Sequence, residues 1–388
     1  GSGANVTIAT GKTAVVYLDG AGSGAAVVDA MALVDPGVTD TLAEVLSAGN
    51  SSGGTDISMT AGDDIVTASA GTNNLRLGSN AGAAIASGGN YNTVVGDLAG
   101  QAVTTGDYNT ALGYNAMGAA TTGSNNVGIG GLALDALTTA SDNTAVGMQA
   151  FTTLTSGTAN VGLGFRAGYQ ATAESNITAI GYSTLFAANP GSNTTAVGTE
   201  ALKSATGNDS TAVGYRALFS NTTGSSNTAV GRESSGSVTT GVQNTTVGYR
   251  SGYNLTTSSN NTAVGHSALF TATTGTANVA VGSDAGEDIT TGNRNTVVGN
   301  IAGSNITTAD DATMIGYGAG GTGVMTGHDN TGVGVQALAN TTSGASNTAV
   351  GRNSLEANTT ASSNTAVGYA SLGANTTGTR NAALGYQS

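Results

Sequence analysis

Over most of its length the chain alternates polar and hydrophobic residues in one short phrase, written TAVG at 144–147 and again at 348–351. If the closing glycine is position zero, the residue before it is always Val, Leu or Ile, and the residue three before it is mostly Thr or Val. The residue between them is small in most copies, as Ala145, Gly162 and Ala179 show. β-Branched residues two apart predict a strand with one buried face. Val146 and its Thr144 partner are expected on that inner face, with the small residue against another backbone or solvent. The glycine falls at Gly78, Gly96, Gly113, Gly130, Gly147, Gly164, Gly181, Gly198, Gly214, Gly231, Gly248, Gly265, Gly282, Gly299, Gly316, Gly334, Gly351, Gly368 and Gly385. Fifteen of the eighteen intervals are 17 residues; those after Gly78, Gly198 and Gly316 are 18, 16 and 18. A short, strict period implies stacked coils whose neighbours supply one another's core. The three slips are expected as local bulges that leave the core register intact.

Four residues before the glycine, fifteen of nineteen copies have Asn, including Asn92, Asn109, Asn143, Asn227 and Asn261. Two roles fit: an amide ladder along the stacking axis, or tolerance of a left-handed turn. The aliphatic file through Val95, Val146, Val230, Val264 and Val350 is expected to form a second, inner ladder. Three residues after the glycine the side chain is Ala, Ser or Thr in every copy, and next comes mostly Leu, as at Leu218, Leu269 and Leu355, or Gly, as at Gly168 and Gly303. A Thr-Thr-Gly signal follows at 222–224 and 376–378. Each rung is therefore expected to hold a strand, a glycine bend, a second short extended segment and a Thr-Gly turn. Nineteen rungs about 4.8 Å apart would make a rod roughly 90 Å long.

The pattern before the repeats differs. Residues 1–36 read as alternating strands, with Ala14, Val16 and Leu18 on one face and a Gly-rich hairpin at 19–24. Thr41 and Glu44 have capping-box spacing, and Leu42, Val45 and Leu46 give one apolar face. These predict a helix of about two turns stopping at Gly49, a collar over 37–51. A transition over 52–72 leads into the roll at 73–388. The fold class expected is all-β: a repetitive parallel β-roll or β-solenoid of 17-residue coils, preceded by a small β segment and a short helical collar.

Composition narrows the partners. Aromatics are 4% and Trp is absent, so the interior must be thin. Each rung offers about two good aliphatics at ~1.5–3 kcal/mol apiece, against ~1–2 kcal/mol of backbone entropy for each ordered residue. Backbone ladders and neighbouring chains must contribute, and a parallel homotrimer sharing a central core is expected. With a net charge of −13 and only two lysines, Lys12 and Lys203, the chain is unsuited to neutralising nucleic acid phosphates. It has no cysteine for disulfides or thiolate sites. Its apolar runs are short, so no membrane span is expected. The start without Met and the final repeat ending three residues past its glycine lead us to expect further segments upstream and downstream.

Candidate chemistry is sparse. His266 and His328 lie far apart in the repeat array, and the acidic pairs Asp63-Asp64 and Asp310-Asp311 lack a surrounding calcium loop. Glu174, Glu200, Glu233, Glu287 and Glu356 are scattered one per rung or fewer, unlike the paired carboxylates a glycan-cleaving site requires. No catalytic, cofactor or metal site is predicted, and the chain is not expected to be an enzyme. The position after the glycine stands out, with Tyr114, Tyr182, Tyr215, Tyr249, Tyr317, Tyr369 and Tyr386, and with Phe165, His266, Arg232 and Arg352 among the substitutes. Such a stripe could stack on sugars as a recognition surface or pack across a chain–chain seam, and the seam is the more economical reading.

The segment NVAVGSDA at 278–285 resembles the head repeat of YadA-type trimeric autotransporter adhesins. That resemblance implies a left-handed, trimeric parallel β-roll with the Val/Ile pair inward, although the repeat there is somewhat shorter. NTAVGYAS at 364–371 resembles arrays found in bacteriophage tail fibres, as do GKTAVVYLDGAGSGAAVVDA at 11–30 and DTLAEVLSAGNSSGGTDI at 40–57. This second resemblance implies a trimeric tail-fibre shaft in the virion tail that supports host attachment. Its implied partners are tail proteins on the N-terminal side and a host surface glycan or protein receptor. A bacterial surface adhesin or extracellular filament subunit is the alternative. An ice-binding solenoid ranks lower, because the Thr file, in phase with Val, is expected to point inward.

Overall fold

The computed structural model describes residues 69–388, except 188, together with two short strands near the N-terminus. Strands β1 (Val16–Leu18) and β2 (Val27–Asp29) pair antiparallel, with Leu18 opposite Val27; the expected Gly-rich hairpin at 19–24 lies outside the described residues. The expected helical collar at 37–51, and the transition as far as 68, lie outside the described residues. The chain divides into two units, 1–64 and 65–388.

The second unit is a parallel β-solenoid. Nineteen three-residue strands run from β3 (Leu75–Leu77) to β21 (Ala382–Leu384), each paired with the next in sequence. The described residues contain no helix. Strand β7 (Thr144–Val146) faces β8 (Val161–Leu163) residue for residue, Ala145 opposite Gly162. The slips leave this register untouched. Strand β10 (Thr195–Val197) pairs in phase with β11 (Thr211–Val213) although the step is 16 residues, and β17 (Thr313–Ile315) pairs likewise with β18 (Thr331–Val333) across 18. The missing residue is absorbed in the turn, where Thr206-Gly207 stands in place of the Thr222-Thr223-Gly224 of the next rung.

The buried face of these strands is the reverse of the one expected. Val146 and Thr144 are only half-buried, and Ala145 between them is fully buried. The same pattern holds through Ala179, Ala212, Ala263 and Ala349. The Val95, Val146, Val230, Val264 and Val350 file therefore lies on the outer side of the sheet, together with the Thr file. The reason is space. A 17-residue coil encloses so narrow an interior that the strand can contribute little more than a methyl group, and the wall facing it supplies the bulk.

That wall is a run of turns; the second extended segment expected there is absent, and the isolated bridge Ile306↔Met325 is the sole pairing outside the strands among the described residues. The chain turns by placing the second and fourth residues after the glycine in the left-handed region, as at Arg216 (φ +53°) and Leu218 (φ +51°). A bulky residue there costs about 1–2 kcal/mol. Full burial of a Leu side chain returns about 1.5–3 kcal/mol, so the strained leucines Leu134, Leu185, Leu202, Leu218 and Leu269 are favourable on balance. Part of the alternation between Leu and Gly at this position follows from volume. Wherever the inward strand residue is larger than Ala, at Arg76, Val94, Thr246, Val297 and Met314, the residue six further on is glycine: Gly82, Gly100, Gly252, Gly303 and Gly320. A Cβ on Gly100 would lie 2.7 Å from a Val94 methyl, and one on Gly303 2.6 Å from a Val297 methyl.

Polar ladders close the remaining accounts. Asn143 takes the backbone N–H of Asn160 on its Oδ1 (3.1 Å), donates from Nδ2 to the Gly157 carbonyl (3.0 Å), and repeats the geometry of Asn109 on Asn92. Asn227 and Asn261 serve in the same way. Of the two roles considered for this asparagine, the structure shows the ladder; the left-handed turn belongs to the residue before it, such as Asp142 (φ +62°). The turn threonines form a hydroxyl file, Thr222 donating to the Thr239 carbonyl and Thr239 to that of Thr256. Every side of the coil thus has its own axial hydrogen bonds, which is how so thin a core is held.

Candidate interaction surfaces

Two surfaces of the solenoid offer more than structural bonding. The first is the outer face of the sheet. Its two files are the residues three and one before the glycine, Thr in fourteen of nineteen copies and aliphatic in all nineteen. Val230, Val247, Val281 and Val350 are each 36–37% exposed and Leu163 is 47% exposed. With about 4.8 Å between rungs and the two files about 7 Å apart, this face covers on the order of 600–900 Å². The aliphatic file makes up about half of it, within the range of the largest apolar patch a monomeric protein usually shows.

The second is the corner that follows the glycine bend. All seven tyrosines of the stripe are exposed, from Tyr249 at 38% to Tyr386 at 73%. Several of them, however, give a ring face to a neighbour within the file. Tyr182 stacks on Phe165 at 5.5 Å, Tyr249 on His266 at 5.4 Å and Tyr369 on Tyr386 at 5.1 Å, with rings 11–27° from parallel. Arg232 stacks between Tyr215 and Tyr249. Only Tyr114 and Tyr317 lack an aromatic or cationic neighbour one rung away, since Asp97, Gly131, Asn300 and Val335 occupy those positions. Elsewhere internal stacking occupies a ring face that the sugar-stacking platform considered from the sequence would also use.

A second aromatic file, five residues after the glycine, escaped the reading of the sequence. It contains Tyr169, Phe186, Phe219, Tyr253 and Phe270, with Tyr169 stacked on Phe186 at 5.1 Å and Tyr253 on Phe270 at 5.6 Å. It is legible in retrospect from its 17-residue spacing, but its positions fall in what looked like a nondescript turn. Between the two files runs a column of charged residues. Arg216 bonds through Nε to Glu200 (2.7 Å), which also takes the Lys203 ammonium (2.6 Å); Arg250 bonds through Nε to Glu233 (2.7 Å). Lys203 first and Arg216 next hold the Glu200 carboxyl below the usual glutamate range, and Arg250 does the same for Glu233. The two glutamates are thus ion-pair partners in separate rungs, and each is satisfied by its own cations.

Several other titratable residues have structural roles too. His328 accepts the Asp310 backbone N–H on Nδ1 (2.9 Å), taking the ladder position that Ser or Asp fills in other rungs, and Asp311 forms a two-point pair with Arg294 (2.7 Å each). His266 lies 3.3 Å from Asp284 at the surface. Glu174 caps the backbone N–H groups of Thr172 and Ala173. Burial, reinforced by Asp284 and Asp288, pushes the Glu287 carboxyl up. Among the described residues no cluster of His, Asp or Glu is arranged to hold a metal ion, and no helix is long and apolar enough to cross a membrane. Asp63 and Asp64 lie outside the described residues. No family model matches the chain, and neither a curated protein nor a solved structure matches it.

Proposed function

We propose that this protein is a structural fibre shaft, a homotrimer in which three solenoids pack their Thr/Val sheet faces together. The carrying observation is the outward aliphatic file, exposed or half-buried on each of the nineteen rungs of a single chain. The area of the whole Thr/Val face matches the roughly 800 Å² per partner that a stable interface buries. Covering it also supplies the apolar burial that an Ala-lined interior lacks. A rod held by continuous axial ladders resists bending and keeps an attachment surface at a distance from its anchor. On this reading the protein is not an enzyme, and it works as a bacteriophage tail fibre in the virion tail. Tail proteins lie on its N-terminal side and a host surface glycan or protein is its receptor. A bacterial surface adhesin or extracellular filament subunit would use the same rod.

The test is mass in solution: light scattering should return three times the 37.2 kDa chain mass. A Val230→Lys/Val247→Lys variant, charged at mid-face, should fall to a monomer. A wild-type monomer would overturn the proposal. One observation favours a second reading, ice binding. The outward Thr file removes the objection that these threonines point inward, and leaves rows of hydroxyl and methyl groups at one-rung spacing. The two readings need the same face, so a monomer with thermal hysteresis would replace the trimer.

A further inference from the structure

At three places the corner repeats one arrangement: an arginine two residues after the glycine, held between the aromatic residues one and five after it. Arg166 lies 5.0 Å from both the Phe165 and Tyr169 rings, Arg216 lies 5.3 and 4.8 Å from Tyr215 and Phe219, and Arg250 lies 5.4 Å from both Tyr249 and Tyr253. Each guanidinium is also fixed from below, its Nε donating to the residue one rung earlier: Gln149, Glu200 and Glu233. The Nη groups of these three arginines have no hydrogen-bond partner among the described residues, and the Arg216 and Arg250 side chains are 43% and 40% exposed. Two flanking rings and one anchored nitrogen thus leave the outer, two-donor edge of a rigid fork free, the geometry that takes carboxylate or sulfate in a two-point bond.

The charge is concentrated here against the trend of the chain. Arg166, Lys203, Arg216, Arg232 and Arg250 are half of the ten basic residues in a protein of net charge −13, and they face only Glu200 and Glu233 in the same column. Successive forks stand three rungs and then two rungs apart, about 14 and about 10 Å along the axis. Two rungs is close to the length of two pyranose rings.

We propose that the rungs from Gly164 to Gly248 carry a binding site for an acidic polysaccharide laid along the solenoid, its carboxylate or sulfate groups held by Arg166, Arg216 and Arg250. The phenol oxygens of Tyr182, Tyr215 and Tyr249 supply hydrogen bonds to sugar hydroxyls beside them. Single-stranded nucleic acid is the less favoured ligand, because it requires open ring faces for its bases and several of these faces are already stacked. The proposal relies on the attachment reading only for its biological setting.

The test is titration calorimetry of the intact chain with polygalacturonate, dextran sulfate, neutral dextran and oligothymidylate. Binding to one or both acidic glycans is expected, and which one is bound identifies the group the forks take. Neither neutral dextran nor the oligonucleotide should bind comparably. An Arg166→Gln/Arg216→Gln/Arg250→Gln variant should bind at least tenfold more weakly, while Arg352→Gln/Arg380→Gln, outside the rungs from Gly164 to Gly248, should leave affinity unchanged. If the Gln variant does not fold, the corresponding Lys variant, which keeps charge but loses the fork, should still be weakened. No binding to either acidic glycan, equal loss in the control variant, or tighter binding of oligothymidylate would each overturn the site. Undiminished cell adhesion by the triple variant would leave attachment standing without this site, whereas glycan binding by a chain that adheres to no cell would leave the site without the attachment role.

Discussion

At the scale of the residue, the glycine that closes each repeat is required twice over. Gly130 has φ +123°, and a Cβ there would lie 2.7 Å from the Gly147 carbonyl group one rung on. Its neighbour Gly131 has no such constraint, the nearest atom to a built Cβ being the Tyr114 carbonyl oxygen at 3.9 Å. Gly130→Ala should therefore destabilise by about 3 kcal/mol or more, the left-handed backbone and the backbone clash each contributing. Gly131→Ala should stay within about 0.5 kcal/mol of wild type. Thermal or denaturant melting of the two variants checks the difference, and equal effects would show that the neighbouring rung yields to the extra methyl.

At the scale of the element, stability should follow the asparagine ladder. The ladder is interrupted where Ile177, Thr194 and Ser210 replace Asn in three successive rungs, and again at Ala312. The first gap also contains the 16-residue step. With fewer axial bonds, the stretch 177–210 is expected to open first, as lower amide hydrogen-exchange protection than at 227–295, where the ladder is unbroken. Uniform protection along the solenoid would mean that the backbone ladders alone set local stability. The Glu200 and Glu233 pairs, one in that stretch and one just beyond it, make the corner sensitive to acid. Both carboxyls are held below their unfolded value, so the folded state binds fewer protons than the unfolded chain, and their stabilisation is complete above about pH 4.5 and lost as pH falls through the depressed folded values. The melting temperature should consequently drop more steeply between pH 5 and pH 3 in the wild type than in a Glu200→Gln/Glu233→Gln variant, about a two-unit window around the ordinary carboxylate range.

At the scale of the whole molecule, the sequence by itself determined the period, the strand positions, the parallel register across all three slips and the rows of repeated side chains. These follow from self-similarity: equivalent residues must stack if identical coils are to share hydrogen bonds. It left undecided which side of the strand is inside. In Thr144–Ala145–Val146 alternation says only that neighbours point opposite ways, and the usual preference for the larger apolar residue chose the wrong side. Only the closed coil, with Leu and Phe151 entering from left-handed positions on the opposite wall, reveals that its interior admits no more than Ala beside them. The same holds for the corner. Phe165, Arg166 and Tyr169 are near neighbours in the sequence, but the fork they make depends on two left-handed turns and on Gln149 in the rung below, contacts that the backbone path creates and no local pattern contains.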